Sequence, residues 1–340
     1  MNFSSDTSAS AHPRVIEALA SVNSGMEASY GGDTVTAALR DKLAAVFETE
    51  DFDYWLTASG TASNALALSC FCSSVGAVLC HEEAHIARDE RGAPEFFTGG
   101  GKLQLLTGFG ARIDREALET ALGQINPSFV HETPAEALSL TNLTECGTAY
   151  RAAEIALYAG LAKEKGLDVH LDGARLGNVL ASGKATAAEM TWQAGIDVLT
   201  FGLTKTGAIG CEIILLFGGA RKKFGELKAR AKRSGHMPPK MRFLAAQAHA
   251  MLEDGLWLQL AGQANARAQA LADVFTGAGF DLAYPVDGNE VFPMLTEEVA
   301  RRLQAAGGVF YPWPGGAYRF VCSWSTPEAE IAAVAEALAA

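Results

Sequence analysis

The chain has 340 residues, 27 of them Lys or Arg and 39 Asp or Glu, which gives a formal charge of −12. That balance argues against a nucleic-acid binder, because phosphate contacts need a basic footprint. At 49% hydrophobic and 19% charged residues the chain can bury a large core, and its length exceeds the size at which one core usually divides, so a globular protein of two domains is expected.

Residues 1–14, MNFSSDTSASAHPR, carry neither a basic stretch nor an apolar one, so a secretory signal is not expected and a cytoplasmic location is. In chain order, the periodicities predict a helix over 34–47, a strand over 54–57, a helix over 63–72 and a strand over 77–80. The run 55–80 has no charged residue and is long enough to span a bilayer. Its Ser59, Gly60, Thr61, Ser63 and Asn64 fit a strand, a turn and a buried helix better, so no membrane span is expected. Further helices are predicted over 114–122, 150–165 and 186–194, with strands over 137–141, 167–171, 197–202 and 212–217. The apolar run at 211–217, CEIILLF, suits a strand covered on both faces.

From Met241 the texture changes to long helices over 241–253 and 257–277, strands over 290–295, 309–311 and 318–322, and a last helix from Pro327. The expected architecture is α/β: a mainly parallel sheet flanked by helices, with a smaller C-terminal α+β domain. Its expected division is an arm of residues 1–13, a large domain of 14–240 and a small one of 241–340. Gly-rich 99–102 and PWPGG at 312–316 read as turns. The six cysteines form no CxxC and read as reduced core residues. His81 and His85 stand four apart, but a strand leading into a loop precedes them, so no metal site is expected.

Ligands of open α/β sheets bind at the carboxyl ends of strands, so the polar residues there are the ones to weigh. Three places qualify. At 56–61, LTASGT, a strand runs into a helix start where free N–H groups and the hydroxyls of Ser59 and Thr61 would hold a phosphate, or simply cap the helix. At 169–176, VHLDGARL, a strand delivers Asp172, for which Arg175 is one available partner. At 198–205, VLTFGLTK, a strand and turn deliver Lys205, which by itself would be solvated. Together the three are what pyridoxal 5'-phosphate requires: a phosphate cradle, a carboxylate that keeps the ring nitrogen protonated, and an amine for a Schiff base.

HLDGARL at 170–176, YGGDTVTAAL at 30–39, SGTASN at 59–64, AHI at 84–86, FGLTKTGA at 201–208, RFLAAQ at 242–247 and RFVCSW at 319–324 lie in an order and spacing that resembles the low-specificity L-threonine aldolases. These are fold-type I pyridoxal-phosphate enzymes, and the resemblance, which covers nearly the whole length, implies an aminotransferase-like large domain. It implies Lys205 as the Schiff-base lysine and Asp172 as the partner of the ring nitrogen. Ser59, Gly60 and Thr61 would take the phosphate, with Thr200 or Thr204 as helpers. His85 would stack on the ring near the scissile bond, the other reading being a loop histidine that caps a helix. Ser5, Arg175 and Arg319 would hold the substrate carboxylate, and Tyr30 would lie near the site or pack in a loop.

One segment departs from the family pattern. Where many members carry a histidine, this chain reads SLTNLTECG at 139–147, leaving Asn142, Thr144 and Glu145 as candidate polar contacts. The basic run from Lys222 to Arg233 reads as a solvated helix face, or as a phosphate contact across a subunit boundary. The resemblance further implies a homodimer or homotetramer, an amino-acid substrate, and retro-aldol cleavage of L-threonine, L-allo-threonine or a relative to glycine and an aldehyde. β-Elimination, transamination and hydroxymethyl transfer use the same ring chemistry and remain open, as does a noncatalytic ligand-binding protein on the same fold.

Overall fold

The computed structural model describes residues 1–339; the final residue of the expected C-terminal domain lies outside them. In chain order the large sheet and the helices around it are α1 (Pro13–Ser21), α2 (Thr34–Phe47), β1 (Phe52–Thr57), α3 (Gly60–Phe71), β2 (Ala77–His81), α4 (His85–Arg88), α5 (Ala93–Thr98), β3 (Lys102–Leu106), α6 (Arg115–Gly123), β4 (Ala135–Thr141), α7 (Ala152–Glu164), β5 (Asp168–Gly173), α8 (Leu176–Leu180), β6 (Val198–Gly202), β7 (Glu212–Phe217) and α9 (Phe224–Arg233). There follow α10 (Arg242–Leu252), α11 (Leu256–Gly277), β8 (Glu290–Val291), α12 (Glu297–Ala305), β9 (Tyr311–Trp313), β10 (Ala317–Val321) and α13 (Glu328–Ala339).

The seven strands lie in the order β1-β7-β6-β5-β4-β2-β3, and β8-β10-β9 form a small antiparallel sheet. In the large sheet β7 alone runs against the others, pairing antiparallel with both β1 and β6. Helices cover both faces, which is why β2, β6 and β7 are buried along their whole length. The uncharged segment at 55–80 becomes β1, α3 and β2, and α3 is buried nearly all round. Among the described residues no helix is long and apolar enough to cross a membrane. All six cysteines are free and buried.

One apolar core surrounds the large sheet and continues through α10 into α11 as far as Leu260; a second gathers Phe3, Phe275, Phe310 and Phe320 about the small sheet. Residues 242–260 therefore pack with the large sheet, although the sequence texture changes at Met241. The N-terminal arm joins the small sheet, with Phe3 donating its N–H to Val309 and accepting from Val321.

Four expected elements differ. The helix over 186–194 is a series of turns ending in a 3-10 turn at Trp192–Ala194, because Thr191 leaves helical geometry (φ −127°, ψ −105°). Lys102, expected in a turn, opens the edge strand β3. The strand at 309–311 shifts to β9, where Pro312 is tolerated because the strand lies at an edge. In the strand predicted over 290–295, only Glu290 and Val291 pair regularly.

Candidate active site

The carboxyl ends of β1, β2, β4, β5 and β6 open on one edge of the sheet. Because β7 is reversed, its amino end lies there too, and Glu212 stands opposite both Gly202 and Thr57. A cavity of about 550 Å3 occupies this edge, lined by residues from each of these strand ends together with Ser5 of the arm and Arg319 of β10. Of the site residues expected from sequence, Ser5, Ser59, Gly60, Thr61, His85, Asp172, Arg175, Thr204, Lys205 and Arg319 all line it.

Ser59 caps α3 in extended geometry, its Oγ accepting the Ala62 N–H at 3.3 Å. The N–H groups of Gly60 and Thr61, in the first turn, have no partner within the helix. A Cβ at Gly60 would meet nothing within 4 Å, so protein packing does not require glycine there and the space it leaves is open to a ligand. This helix start fits an anion.

Asp172 is 2% exposed at the end of β5. Its Oδ2 accepts Asn64 Nδ2 at 2.8 Å and its Oδ1 accepts the Ala174 N–H at 2.9 Å. Burial would raise its pKa, but the positive charges of His85 and Lys205 outweigh burial, and the carboxyl is held below its usual range. Arg175 is not its hydrogen-bonding partner: the guanidinium turns instead to the buried Asp6. Lys205 sits in a 3-10 turn at Thr204–Thr206 just past β6. Burial, with the Arg175 charge added, depresses its amine pKa and favours the nucleophilic neutral form.

Thr204 donates its hydroxyl to Glu212 and accepts the Cys211 N–H, which ties the Lys205 turn to β7. Thr200 does not line the cavity; it is fully buried within β6 and bonded to His170 Nε2. Arg319 places both Nε and Nη2 on Glu290 Oε1, at 3.0 and 2.6 Å. Tyr30 is exposed outside the cavity, with the Lys232 ammonium 4.1 Å from its ring centroid. His81, the other member of the spaced pair, is occupied by the Gly108 carbonyl and the Glu83 N–H.

In the departing segment, Asn142 clasps the Tyr150 backbone through both amide atoms and Thr144 donates to the Gly110 carbonyl, so both are structural. Glu145 alone of the three reaches the cavity, where its Oε1 accepts the His85 backbone N–H at 2.7 Å. Burial and the Asp172 charge push its carboxyl up to about 7. Burial likewise raises Glu212 to about 7. Sequence reasoning gave no role to Asp6, Asn64, Glu90, Glu212 or Glu290. Asn64 and Glu212 were legible as polar residues in strongly apolar runs; the other three carry no local signal.

Residues 2–298 match the family model described as beta-eliminating lyase. The chain is 40% identical to a low specificity L-threonine aldolase of Pseudomonas sp. (strain NCIMB 10558) over 97% of its length and 94% of that protein's. It is 39% identical to one of Pseudomonas aeruginosa, over 95% of this chain and 93% of that protein. A solved structure of a Leishmania major threonine aldolase superposes with a TM-score of 0.92 at 27% identity, covering 99% of this chain and 98% of that one. With this fold and this cavity, the chain belongs to the beta-eliminating lyase family and to its relatives the low-specificity L-threonine aldolases.

Proposed function

We propose that the protein is a pyridoxal-phosphate-dependent carbon–carbon lyase that cleaves L-threonine, L-allo-threonine or a related β-hydroxy-α-amino acid to glycine and an aldehyde. The observation that carries this reading is the meeting of Lys205, Asp172 and the open helix start at Ser59–Thr61 in one cavity, in a chain 40% identical to an enzyme of that name. When bound, the cofactor supplies a protonated pyridine ring that takes up the electron pair left on Cα as the Cα–Cβ bond breaks.

The chain's own residues do the rest. Lys205, its amine pKa lowered by burial, would offer the nitrogen that holds the cofactor, and Asp172, held ionised, would keep a proton on the ring nitrogen. The Gly60 and Thr61 N–H groups with the Ser59 and Thr61 hydroxyls would take the phosphate. His85, which lines the same cavity, would lie against the ring. Arg175 and Arg319 each keep guanidinium N–H groups beyond those used on Asp6 and Glu290, and these with the Ser5 hydroxyl would orient the substrate carboxylate. Six buried free cysteines agree with a reducing, cytoplasmic setting. Exposed Met26 and Tyr30 on one loop agree with contact to a second copy in a homo-oligomer.

The test is an absorbance spectrum of the purified protein with pyridoxal phosphate, followed by L-threonine, L-allo-threonine and phenylserine with assay of aldehyde and glycine. A visible band with both products supports the reading. Ammonia with a keto acid would move it to β-elimination, the reaction for which the matched family is named. No band at all would remove the cofactor assignment.

A further inference from the structure

Behind His85 the structure builds a buried polar chain that the proposed reaction does not itself demand. His85 Nδ1 lies 2.8 Å from Glu90 Oε1. The same oxygen accepts Asn64 Nδ2 at 2.9 Å, and Asn64 Nδ2 also donates to Asp172 Oδ2 at 2.8 Å. The Glu90 side chain is fully enclosed, and among the described residues its Oε2 has no hydrogen-bond partner. A buried carboxylate left half-satisfied costs stability, so its presence here calls for an explanation. The fold goes out of its way to put it there: α4 lasts a single turn, and Arg91 (φ 53°) and Gly92 (φ 74°) reverse the chain directly after Glu90.

We propose that Glu90 is a positioning residue for His85, fixing its ring with the proton on Nδ1 and the lone pair of Nε2 free for the cavity, with Asn64 locking Glu90 in that task. Burial raises the Glu90 pKa, but its Oε1 already accepts from Asn64, and a proton carried on the unpartnered Oε2 would leave Oε1 an acceptor, so Nδ1 is the donor. Asn64 stands between two carboxylates, so its nitrogen rather than its oxygen must face both. Nε2 is then the atom that gains and loses a proton, and among the described residues it has no hydrogen-bond partner. On the aldolase reading, on which the purpose of this arrangement rests, that lone pair is available to the substrate's β-hydroxyl proton. As the proton moves to Nε2, the O–H pair becomes the second bond of the carbonyl, and the Cα–Cβ pair stays on Cα.

The groups facing His85 are Glu90 on its own segment, Asp172 at the end of β5, Lys205 past β6, and Glu145 beyond β4, which holds the backbone N–H. Burial would lower the imidazole pKa, but the Glu90 hydrogen bond and the Asp172 charge more than reverse this, and the net direction is upward.

The experiment is NMR of protein labelled with 15N-histidine, with and without pyridoxal phosphate, the His85 signals being assigned by their loss in His85→Asn. The expected result is the Nδ1–H tautomer at high pH, a titration midpoint above the ordinary value of about 6.5, and a fall of about one pH unit in Glu90→Gln. The acidic limb of the kcat/KM profile should move with it, and Glu90→Asp should restore part of the midpoint. An Nε2–H tautomer in the unaltered protein, or an unmoved midpoint in Glu90→Gln, would overturn the proposal. The tautomer needs no variant to fold. It is also read without turnover, so a protein that released no aldehyde would sink the aldolase reading while leaving this one standing or falling by its own spectrum.

Discussion

Arg175 meets Asp6 through two parallel hydrogen bonds, Nε to Oδ2 at 2.7 Å and Nη2 to Oδ1 at 3.0 Å, across 169 positions of sequence. Both side chains are buried, and Asn289 adds a third bond to Asp6 at 3.0 Å. The pair ties the N-terminal arm to the loop after β5 and to the small sheet, and the arm's Ser5 and Thr7 form part of the cavity wall. An Arg175 stripped of Asp6 is a buried, poorly paired cation. Asp6→Ala is expected to destabilise the fold by about 3–5 kcal/mol, read by urea denaturation, and to raise KM for the amino acid more than it lowers kcat.

Acid stability follows from Asp6 and His170. Burial would raise the Asp6 carboxyl, but Arg175 and Lys205 bring it down to about 2. Its folded pKa is thus depressed, so its stabilisation is full above the unfolded value of about 3.9 and fades as pH falls through 2. Burial lowers His170, clasped between Ser139 and Thr200, to about 4. Its neutral form is the one the fold accepts, so stability present above about 6.5 declines as pH falls toward 4. Glu145 and Glu212, both raised to about 7, gain stability as pH falls and oppose this loss, so the His170 and Asp6 contributions are read as differences in denaturation midpoint between parent and variant from pH 7 to 2. The stability of the parent relative to His170→Asn should fall between pH 6.5 and 4, and a constant difference there would show that His170 does not titrate as stated.

Lys205→Ala is expected to fold, since the lysine fills a cavity wall rather than the core, yet to lose roughly a thousandfold or more of activity and the visible cofactor band. Asp172→Asn should behave differently. Both Asp172 oxygens accept protein N–H groups, and an amide has one acceptor for two donors. The variant should lose about 1–3 kcal/mol of stability and on the order of a hundredfold in kcat. Stopped-flow spectra and a thermal melt separate the two effects.

Glu145→Gln should gain stability and lose function together. With its folded pKa raised to about 7, the glutamate costs the fold progressively more as pH rises from about 4.5 through 7. Glutamine keeps an acceptor for the His85 N–H without the charge. The variant is expected to be about 1–3 kcal/mol more stable than the parent at pH 8 and equal to it at pH 4, with a changed pH profile of activity. A melt at the two pH values decides; equal stabilities at pH 8 would contradict the stated cost.

The strand that ends in Asp172, the strand and turn that end in Lys205 and the cap at Ser59 were legible because each joins an apolar run to a polar residue at a strand terminus. The helix at 186–194 was not, because its composition suits a helix while Thr191 departs from helical geometry. Nor was β3, whose alternation is short and whose preceding glycines suggest a turn. Arg175 and Arg319 were expected to hold the substrate carboxylate; the structure gives each a buried carboxylate partner of the protein as well, and neither Asp6 nor Glu290 is near its arginine in sequence.

What the sequence determined by itself is what depends on neighbouring residues: the period of each strand, the caps, and the small residues at the start of α3. Hydrophobic alternation and capping act over a few positions, so they can be read locally. What only the tertiary structure decided is which distant charges share a low-dielectric space. Reversal of β7 brings Glu212 to the edge where β1 and β6 end, a one-turn α4 and the chain reversal after it bury Glu90 against His85 and Asn64, and the arm delivers Asp6 to Arg175. Electrostatic energy there depends on distance and burial rather than on separation along the chain, so it is set only once the sheet and both cores have closed.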